Sequence, residues 1–246
     1  MSDMGQKPSV GTAIPRQTML VDELIESSTN FCHWPYDMHD RKAYNVAAGH
    51  VVLRQGAKPD CFFEIASGTL KLSQVTEDGR QIILGFATSG DFVGLTGGKE
   101  YRYAAETLTM TRLHPINCKV FYEQMLQNRS ARETFLGWLD TQEKMVQDHI
   151  ATLSLQSPLA KLAAFLLKQI SQQTKSVGFD DAIIDLPMTQ KDIATYLAIA
   201  PETCSRAMKK LRQGKIIEAT GRSGEGKLLK ILDFDQLNEV ANGPFI

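Results

Sequence analysis

In the segment 186–212 a short helical pattern stops and a second one starts at once, an arrangement that few folds accommodate. Thr189 suits an N-cap, and Asp192 three positions later lies where the positive end of a helix favours an acid. The small residues at 198–200 provide a tight connection, and Pro201 suits the first position of a new helix. The segment therefore predicts two short helices joined by a turn.

The second of these helices has one apolar face and one polar face. Met208 and Leu211 are expected to be buried, with Cys204 close to them. The side chains expected to face solvent are Glu202, Thr203, Ser205, Arg206, Lys209 and Lys210.

The polar face has the chemistry needed to read the major groove of DNA. Arg206 can donate two hydrogen bonds to guanine O6 and N7, Glu202 can accept from cytosine N4 or adenine N6, and Ser205 can bond a base or a phosphate. Phosphate-binding or supporting roles are expected for Thr189, Thr203, Lys209, Lys215 and Arg222. The alternative is a solvated helical hairpin whose charges are incidental.

The distribution of charge favours the first interpretation. The whole chain has a formal net charge of −1, which excludes a generally basic nucleic-acid coat protein. Within 188–230, however, nine Lys and Arg residues face only four acids, so the basic charge is concentrated around the two helices.

A glycine-bearing segment follows the second helix. Gly221, Gly224 and Gly226 lie between two apolar runs, which predicts a β-hairpin wing with Arg222 and Lys227 near phosphates. A plain structural hairpin is an equally good interpretation.

The region 44–115 has a different sequence pattern, in which short apolar runs are bounded by glycine and turn residues at roughly regular spacing. The pair Asp78-Gly79 between two such runs is a strong hairpin signal. This pattern predicts an antiparallel barrel or sandwich.

A helical period follows over 121–156. Its stripe is formed by Phe135, Leu139, Gln142, Val146, His149 and Leu153. Such a helix can pack on its own domain or pair with its copy in a dimer, and its length and its place between two domains favour the dimer. Pro158 begins a new helix.

These patterns divide the chain into four parts. We predict a flexible N-terminal arm (1–20), a sensor-like β-roll (21–120), a dimerisation helix (121–156) and a winged helix-turn-helix domain (157–246). The fold class is α+β.

The chain resembles the Crp/Fnr transcription regulators over about 44–237. The run 202–206 is similar to the E-T-x-S-R core of the Fnr and FixK branch. The resemblance implies a cyclic-nucleotide-binding-like roll, a homodimer built on the long helix, and contact with RNA polymerase. It also implies that Glu202, Ser205 and Arg206 read half-sites in a TTGAT-N4-ATCAA-like palindrome.

The sensor region departs from relatives with known effectors. The stretch 92–100 lacks the Arg-Ser pair that holds a cyclic phosphate, and Glu100 would repel one. The N-terminal part has only Cys32, which is too few thiolates for an iron–sulfur cluster, and Cys32-His33 with His39 make a weak haem or metal site. No cofactor or metal is expected. The alternative is a regulator whose roll must bind a ligand or haem before the protein binds DNA.

Cys204 has two interpretations. The helix N-terminus and Arg206 would lower the pKa of its thiol and make it a redox switch, since a charged oxidation product would repel DNA. Otherwise it is a small buried thiol that packs the helix.

Other classes of protein find no support in the sequence. It contains no P-loop, HExxH or dinucleotide fingerprint, so we expect no enzyme. The four cysteines are scattered singly. Neither a signal peptide nor a membrane span is recognisable, which predicts a cytoplasmic protein without a membrane partner.

Overall fold

The computed structural model describes residues 43–173, 182–223 and 226–242. The predicted arm at 1–20 and the candidate ligands Cys32, His33 and His39 lie outside these residues.

The first domain is a roll of two four-stranded antiparallel sheets, which confirms the predicted architecture. Its strands are β1 (Tyr44–Val46), β2 (Val51–Leu53), β3 (Cys61–Ser67), β4 (Thr69–Val75), β5 (Gln81–Thr88), β6 (Phe92–Val93), β7 (Ala104–Thr107) and β8 (Thr111–Asn117). One sheet has the order β1-β8-β3-β6 and the other β2-β7-β4-β5. Alternate residues of the strands, such as Phe63, Ile65 and Leu113, are buried between the sheets.

Two glycines show why the turns of the roll need this residue. Gly79 has φ +80° in the hairpin that joins β4 to β5, as Asp78-Gly79 predicted. Gly68 has φ +98° between β3 and β4, and a Cβ there would lie 2.5 Å from the hydroxyl of Thr111. A side chain at Gly68 would therefore be both strained and obstructed.

The prediction of a single helix over 121–156 is wrong, because this segment contains two helices. Helix α1 (Cys118–Gln127) and helix α2 (Arg129–Ser154) meet at Asn128, which is extended with φ −116° and ψ 112°. The Asn128 side chain accepts a hydrogen bond from Ala131 N at 3.1 Å, and its own N–H closes α1 on Gln124 O at 2.9 Å. Asparagine thus ends one helix and caps the next, a role it fills better than a position inside a helix.

Helix α2 packs only partly on its own domain. Phe135 and Trp138 form ring contacts with Phe121 and Phe92. Val146 and Ile150, however, are 59% and 58% exposed. One part of the stripe therefore packs on the roll, and another part is exposed to solvent in the single chain.

The C-terminal domain is a helical core with a small sheet against it. It contains α3 (Pro158–Gln173), β9 (Ile183–Leu186), α4 (Gln190–Tyr196), α5 (Pro201–Gln213), β10 (Ile217–Ser223), β11 (Gly226–Ile231) and α6 (Phe234–Asn242). The antiparallel sheet has the order β10-β11-β9, so the predicted β-hairpin is confirmed. Leu162, Leu166, Ile193 and Leu237 lie in the core. None of the helices in the described ranges is long and apolar enough to cross a membrane.

Candidate nucleic-acid interface

Helix α4 begins with a complete capping box. Thr189 Oγ1 accepts a hydrogen bond from Asp192 N at 3.0 Å, while Asp192 Oδ2 accepts from Thr189 N at 3.0 Å and from Thr189 Oγ1 at 2.5 Å. The reciprocal bonds satisfy donors that the first helical turn leaves free. Because the Thr189 hydroxyl proton is used here, the geometry favours a supporting role for Thr189 over donation to a phosphate.

The turn between α4 and α5 depends on a left-handed residue. Ala198 has φ +51°, and the N–H of Ile199 donates to Ala194 O at 3.0 Å. Leu197 is completely buried beneath the turn. The sharp reversal brings α5 across α4, but an alanine adopts this conformation at a cost of about 1–2 kcal/mol.

The amphipathic surface of α5 orients the predicted base-reading residues. Cys204, Ala207, Met208 and Leu211 are buried against the domain core. The outward face carries the exposed side chains of Glu202, Ser205, Arg206, Lys209 and Lys210. The hydrophobic face thus leaves a set of hydrogen-bonding and basic groups on one side of a helix.

Arg206 is held by its neighbour one turn earlier. Its Nη2 donates a hydrogen bond to Thr203 Oγ1 at 3.2 Å, and Thr203 is half-buried. The contact limits the rotamers of the guanidinium and leaves its other N–H groups free to donate. Thr203 is therefore placed to support Arg206.

Two of the remaining predicted contacts, Lys215 and Arg222, lie beyond the end of α5. Lys215 is exposed and has φ +54°, immediately after the helix C-cap at Gly214. Arg222 lies on β10, and its side chain falls outside the described atoms. Lys209 shares the outward face of α5 with Arg206.

Of the two interpretations of Cys204, the one that needs a lowered thiol pKa finds no support in the structure. The thiol is fully buried, and burial raises its pKa. A buried thiol kept in its neutral form is a poor nucleophile toward oxidants. The structure therefore supports the alternative in which Cys204 packs α5 against the core.

The sensor roll offers no clustered metal ligands in the ranges that the structure describes. Cys61 and Cys118 are buried thiols, and burial raises the pKa of Cys61 to about 12. Both thiols pack in the interior instead of lining an open site.

Comparison with known proteins agrees with both domains. Residues 44–128 match the cyclic nucleotide-binding domain family, and residues 160–240 match the Crp-like helix-turn-helix domain family. The chain belongs to the Crp/Fnr family. Members of this family are transcription regulators and not enzymes, so the helix-turn-helix described above is a DNA-binding domain.

Several relatives are similar over most of their length. The transcriptional activatory protein AadR of Rhodopseudomonas palustris is 28% identical over 188 residues, which cover 74% of this chain and 77% of AadR. The transcriptional activator Anr of Pseudomonas protegens is 29% identical over 197 residues, covering 79% and 78%. The nitrogen fixation regulation protein FixK of Rhizobium meliloti is 28% identical over 169 residues, covering 69% and 74%.

Solved structures show the same fold. FixK2 from Bradyrhizobium japonicum superposes with a TM-score of 0.73 at 20% identity, covering 83% of this chain and 98% of FixK2. A CRP-family transcriptional regulator from Thermus thermophilus gives 0.67 at 21% identity, covering 82% and 98%.

Sequence reasoning missed a contact between the two domains. Lys71 and Phe86, on β4 and β5 of the roll, touch the first helix of the helix-turn-helix through Asp192 and Tyr196. These residues are far apart in the chain, and nothing in the local pattern of either segment indicates the other.

Proposed function

We propose that the protein acts as a homodimer that reads a TTGAT-N4-ATCAA-like palindrome and then contacts RNA polymerase in the cytoplasm. The observation that carries the proposal is the outward face of α5, where Glu202, Ser205 and Arg206 are exposed together. Arginine bonds guanine, glutamate bonds cytosine or adenine, and serine bonds either base or phosphate, so the three types suit a mixed half-site.

The second element of the proposal is the dimer. The exposed Val146 and Ile150 of α2 offer an apolar stripe whose burial against a second copy is favourable. Two copies present two recognition helices, and this symmetry matches a palindromic site.

Phosphate contacts supply affinity without selecting a sequence. Lys209 and Lys215 are exposed beside the recognition face, and Arg222 follows on the wing. Their charges neutralise phosphates and release counterions, so binding should weaken steeply as salt rises.

Fluorescence anisotropy of the purified protein, without added effector, tests the proposal. The probe is a labelled TTGAT-N4-ATCAA duplex, compared at about 0.15 M salt with a scrambled duplex and with one in which a single half-site is scrambled. Selective binding that falls sharply when one half-site is lost is expected. Equal affinity for all three duplexes would contradict both the half-site and the dimer.

One cavity favours a second function, in which the roll must bind a ligand or haem before the protein binds DNA. A space of about 650 Å³ lies between β5, α2 and α4, and Phe92, Tyr103 and Trp138 are among its lining residues. The Nε1 atom of Trp138 is buried with no hydrogen-bond partner among the described residues, so a ligand that reaches it would supply the missing acceptor. An effector-dependent gain in selective anisotropy, or a Soret band in the purified protein, would favour this function.

A further inference from the structure

A lysine of the roll reaches the DNA-binding domain. Lys71 Nζ on β4 lies 3.1 Å from Glu106 Oε2 on the neighbouring strand β7 and 3.5 Å from Asp192 Oδ1 on α4. The side chains of Lys71 and Asp192 are only 14% and 16% exposed. A charged contact this shielded from water is screened less by salt than a surface pair.

The carboxylate of Asp192 serves both domains at once. Its Oδ2 accepts the capping-box bonds from Thr189, and its Oδ1 faces the ammonium of Lys71. The same group that starts the first helix of the helix-turn-helix therefore ties that helix to the roll. A movement of the domain away from the roll would leave Lys71 with Glu106 alone.

Apolar side chains also join the roll to the DNA-binding domain. Ile83 of β5 is buried in the same cluster as the core of the DNA-binding domain. The ring of Phe86 lies 5.4 Å from that of Tyr196 and 6.3 Å from that of Phe165. Apolar burial holds surfaces together with little directional preference, whereas the ion pair requires particular atoms to meet.

We propose that Lys71 is a positioning residue for DNA recognition, which fixes the orientation of the helix-turn-helix on the roll through Asp192. The inference rests on the proposed function in one respect, that α5 reads DNA as part of a dimer. The two recognition helices of a dimer must be held at the spacing of the half-sites. If each domain rotates freely, a smaller fraction of the protein has the competent arrangement, and the apparent affinity falls by that fraction.

A double-mutant cycle tests the pair. Lys71→Met keeps the aliphatic stem without the charge, and Asp192→Asn keeps an oxygen for the capping box. The probe is the duplex that the wild-type protein selects from a random library, which makes the test independent of the TTGAT half-site. Each single variant should bind it about threefold to tenfold more weakly, and the double variant no more weakly than either.

Two further variants separate positioning from other roles. Lys71→Arg should retain most of the wild-type affinity for the selected duplex, because it keeps the positive charge. Lys58→Met is the matched control. Lys58 is also a lysine of the roll, and its Nζ lies 3.2 Å from Asp60 Oδ1, but the side chains of Lys58 and Asp60 are 82% and 50% exposed. This control should leave selective binding unchanged.

The readouts distinguish this role from phosphate binding and from general stability. Lys71→Met should leave the affinity for scrambled DNA and the salt slope unchanged. A lower salt slope, additive effects in the cycle, or coupling in thermal unfolding without any change in DNA affinity would each overturn the proposal. If the wild-type protein selects no sequence, the proposed base reading fails. The double-mutant cycle is then measured on the free energy of unfolding without DNA. Zero coupling between Lys71 and Asp192 in that cycle would overturn the interdomain contact.

Discussion

His149 near the end of α2 lies flat on Tyr196 of α4, with ring centroids 4.0 Å apart and planes 10° from parallel. The Tyr196 hydroxyl accepts a hydrogen bond from Lys168 Nζ at 3.4 Å. The stack connects the helix proposed for dimerisation directly to the helix-turn-helix. Any change in the pairing of α2 therefore has a direct contact through which to reach the DNA-binding domain.

The stack predicts a loss of stability in mild acid. Burial lowers the pKa of His149, and the charge of Lys168 lowers it further. The unfolded chain, with a histidine pKa of about 6.5, takes up the proton first. The free energy of unfolding should therefore be full above about pH 6.5 and fall as the pH drops toward the lowered pKa of the folded state.

His149→Phe provides the measurement for this effect. Phenylalanine keeps an aromatic ring on Tyr196 but cannot take up a proton. Denaturant unfolding between about pH 7 and pH 5 should show a shallower decline in the variant than in the wild-type protein. Identical pH profiles would show that His149 does not contribute to the decline.

Arg206→Ala should weaken cognate DNA binding by about 1–3 kcal/mol and relax the preference at one half-site position. The reason is the loss of a forked donor from the exposed face of α5. Arg212→Ala is the matched control, because it removes the same charge from the last turn of the same helix. Equal losses on cognate and scrambled duplexes for Arg206→Ala would exclude it as a base reader.

Lys215 combines a proposed phosphate contact with a strained backbone, and two substitutions separate these effects. Lys215→Ala should weaken binding to all sequences alike and lower the salt slope by about one unit. Lys215→Gly should have the same effect on DNA but raise the free energy of unfolding by about 0.5–1 kcal/mol, because φ is +54°. Anisotropy against salt and denaturant unfolding measure the two quantities. Unchanged salt slopes would remove Lys215 from the phosphate contacts.

Ala198→Gly should stabilise the DNA-binding domain by about 0.5–1 kcal/mol. Glycine adopts the observed φ of +51° without steric cost, and this gain exceeds the entropy that glycine adds to the unfolded chain. Denaturant unfolding with an unchanged m-value measures the effect. Ala194→Gly, in the buried interior of α4, is the control and should destabilise by at least about 1 kcal/mol. A less stable Ala198→Gly variant would contradict the strain.

Val146→Glu should weaken dimerisation by about tenfold or more, because it places a charge in the apolar stripe proposed to be buried between copies. Selective DNA affinity should fall with it. Sedimentation equilibrium measures the dimer, and Lys144→Glu is the control, since it lies two residues away on the opposite side of α2. A monomeric wild-type protein, or a Val146→Glu dimer of full affinity, would contradict the proposed interface.

Helix caps and hydrophobic periodicity, which act between neighbours in the chain, were enough to predict the helices of the DNA-binding domain. Thr189 is the N-cap of α4 and Asp192 lies in its first turn, as predicted, and Pro201 begins α5. The period of Met208 and Leu211 identified the buried face and, with it, the exposed one. Each of these signals acts within a few residues, so it survives without knowledge of the rest of the fold.

Sequence patterns gave a wrong or an undecided answer where a residue has two opposing local tendencies. The stripe of 121–156 suggested one helix, but Asn128 ends it because its side chain satisfies the N–H of Ala131. For Cys204 the sequence left two interpretations open, because a position in the first turns of a helix lowers a thiol pKa and burial raises it. Only the packed structure shows that burial decides the outcome.

Local patterns in the sequence were enough to predict the antiparallel roll, the helix-turn-helix with its hairpin, and the identity of the outward residues on α5. The tertiary structure alone decided how the two domains meet, through Lys71 with Asp192, Phe86 with Tyr196, and His149 with Tyr196. Periodicity and capping report on neighbours along the chain. Contacts between distant segments depend on how complete domains pack, and no local pattern records that.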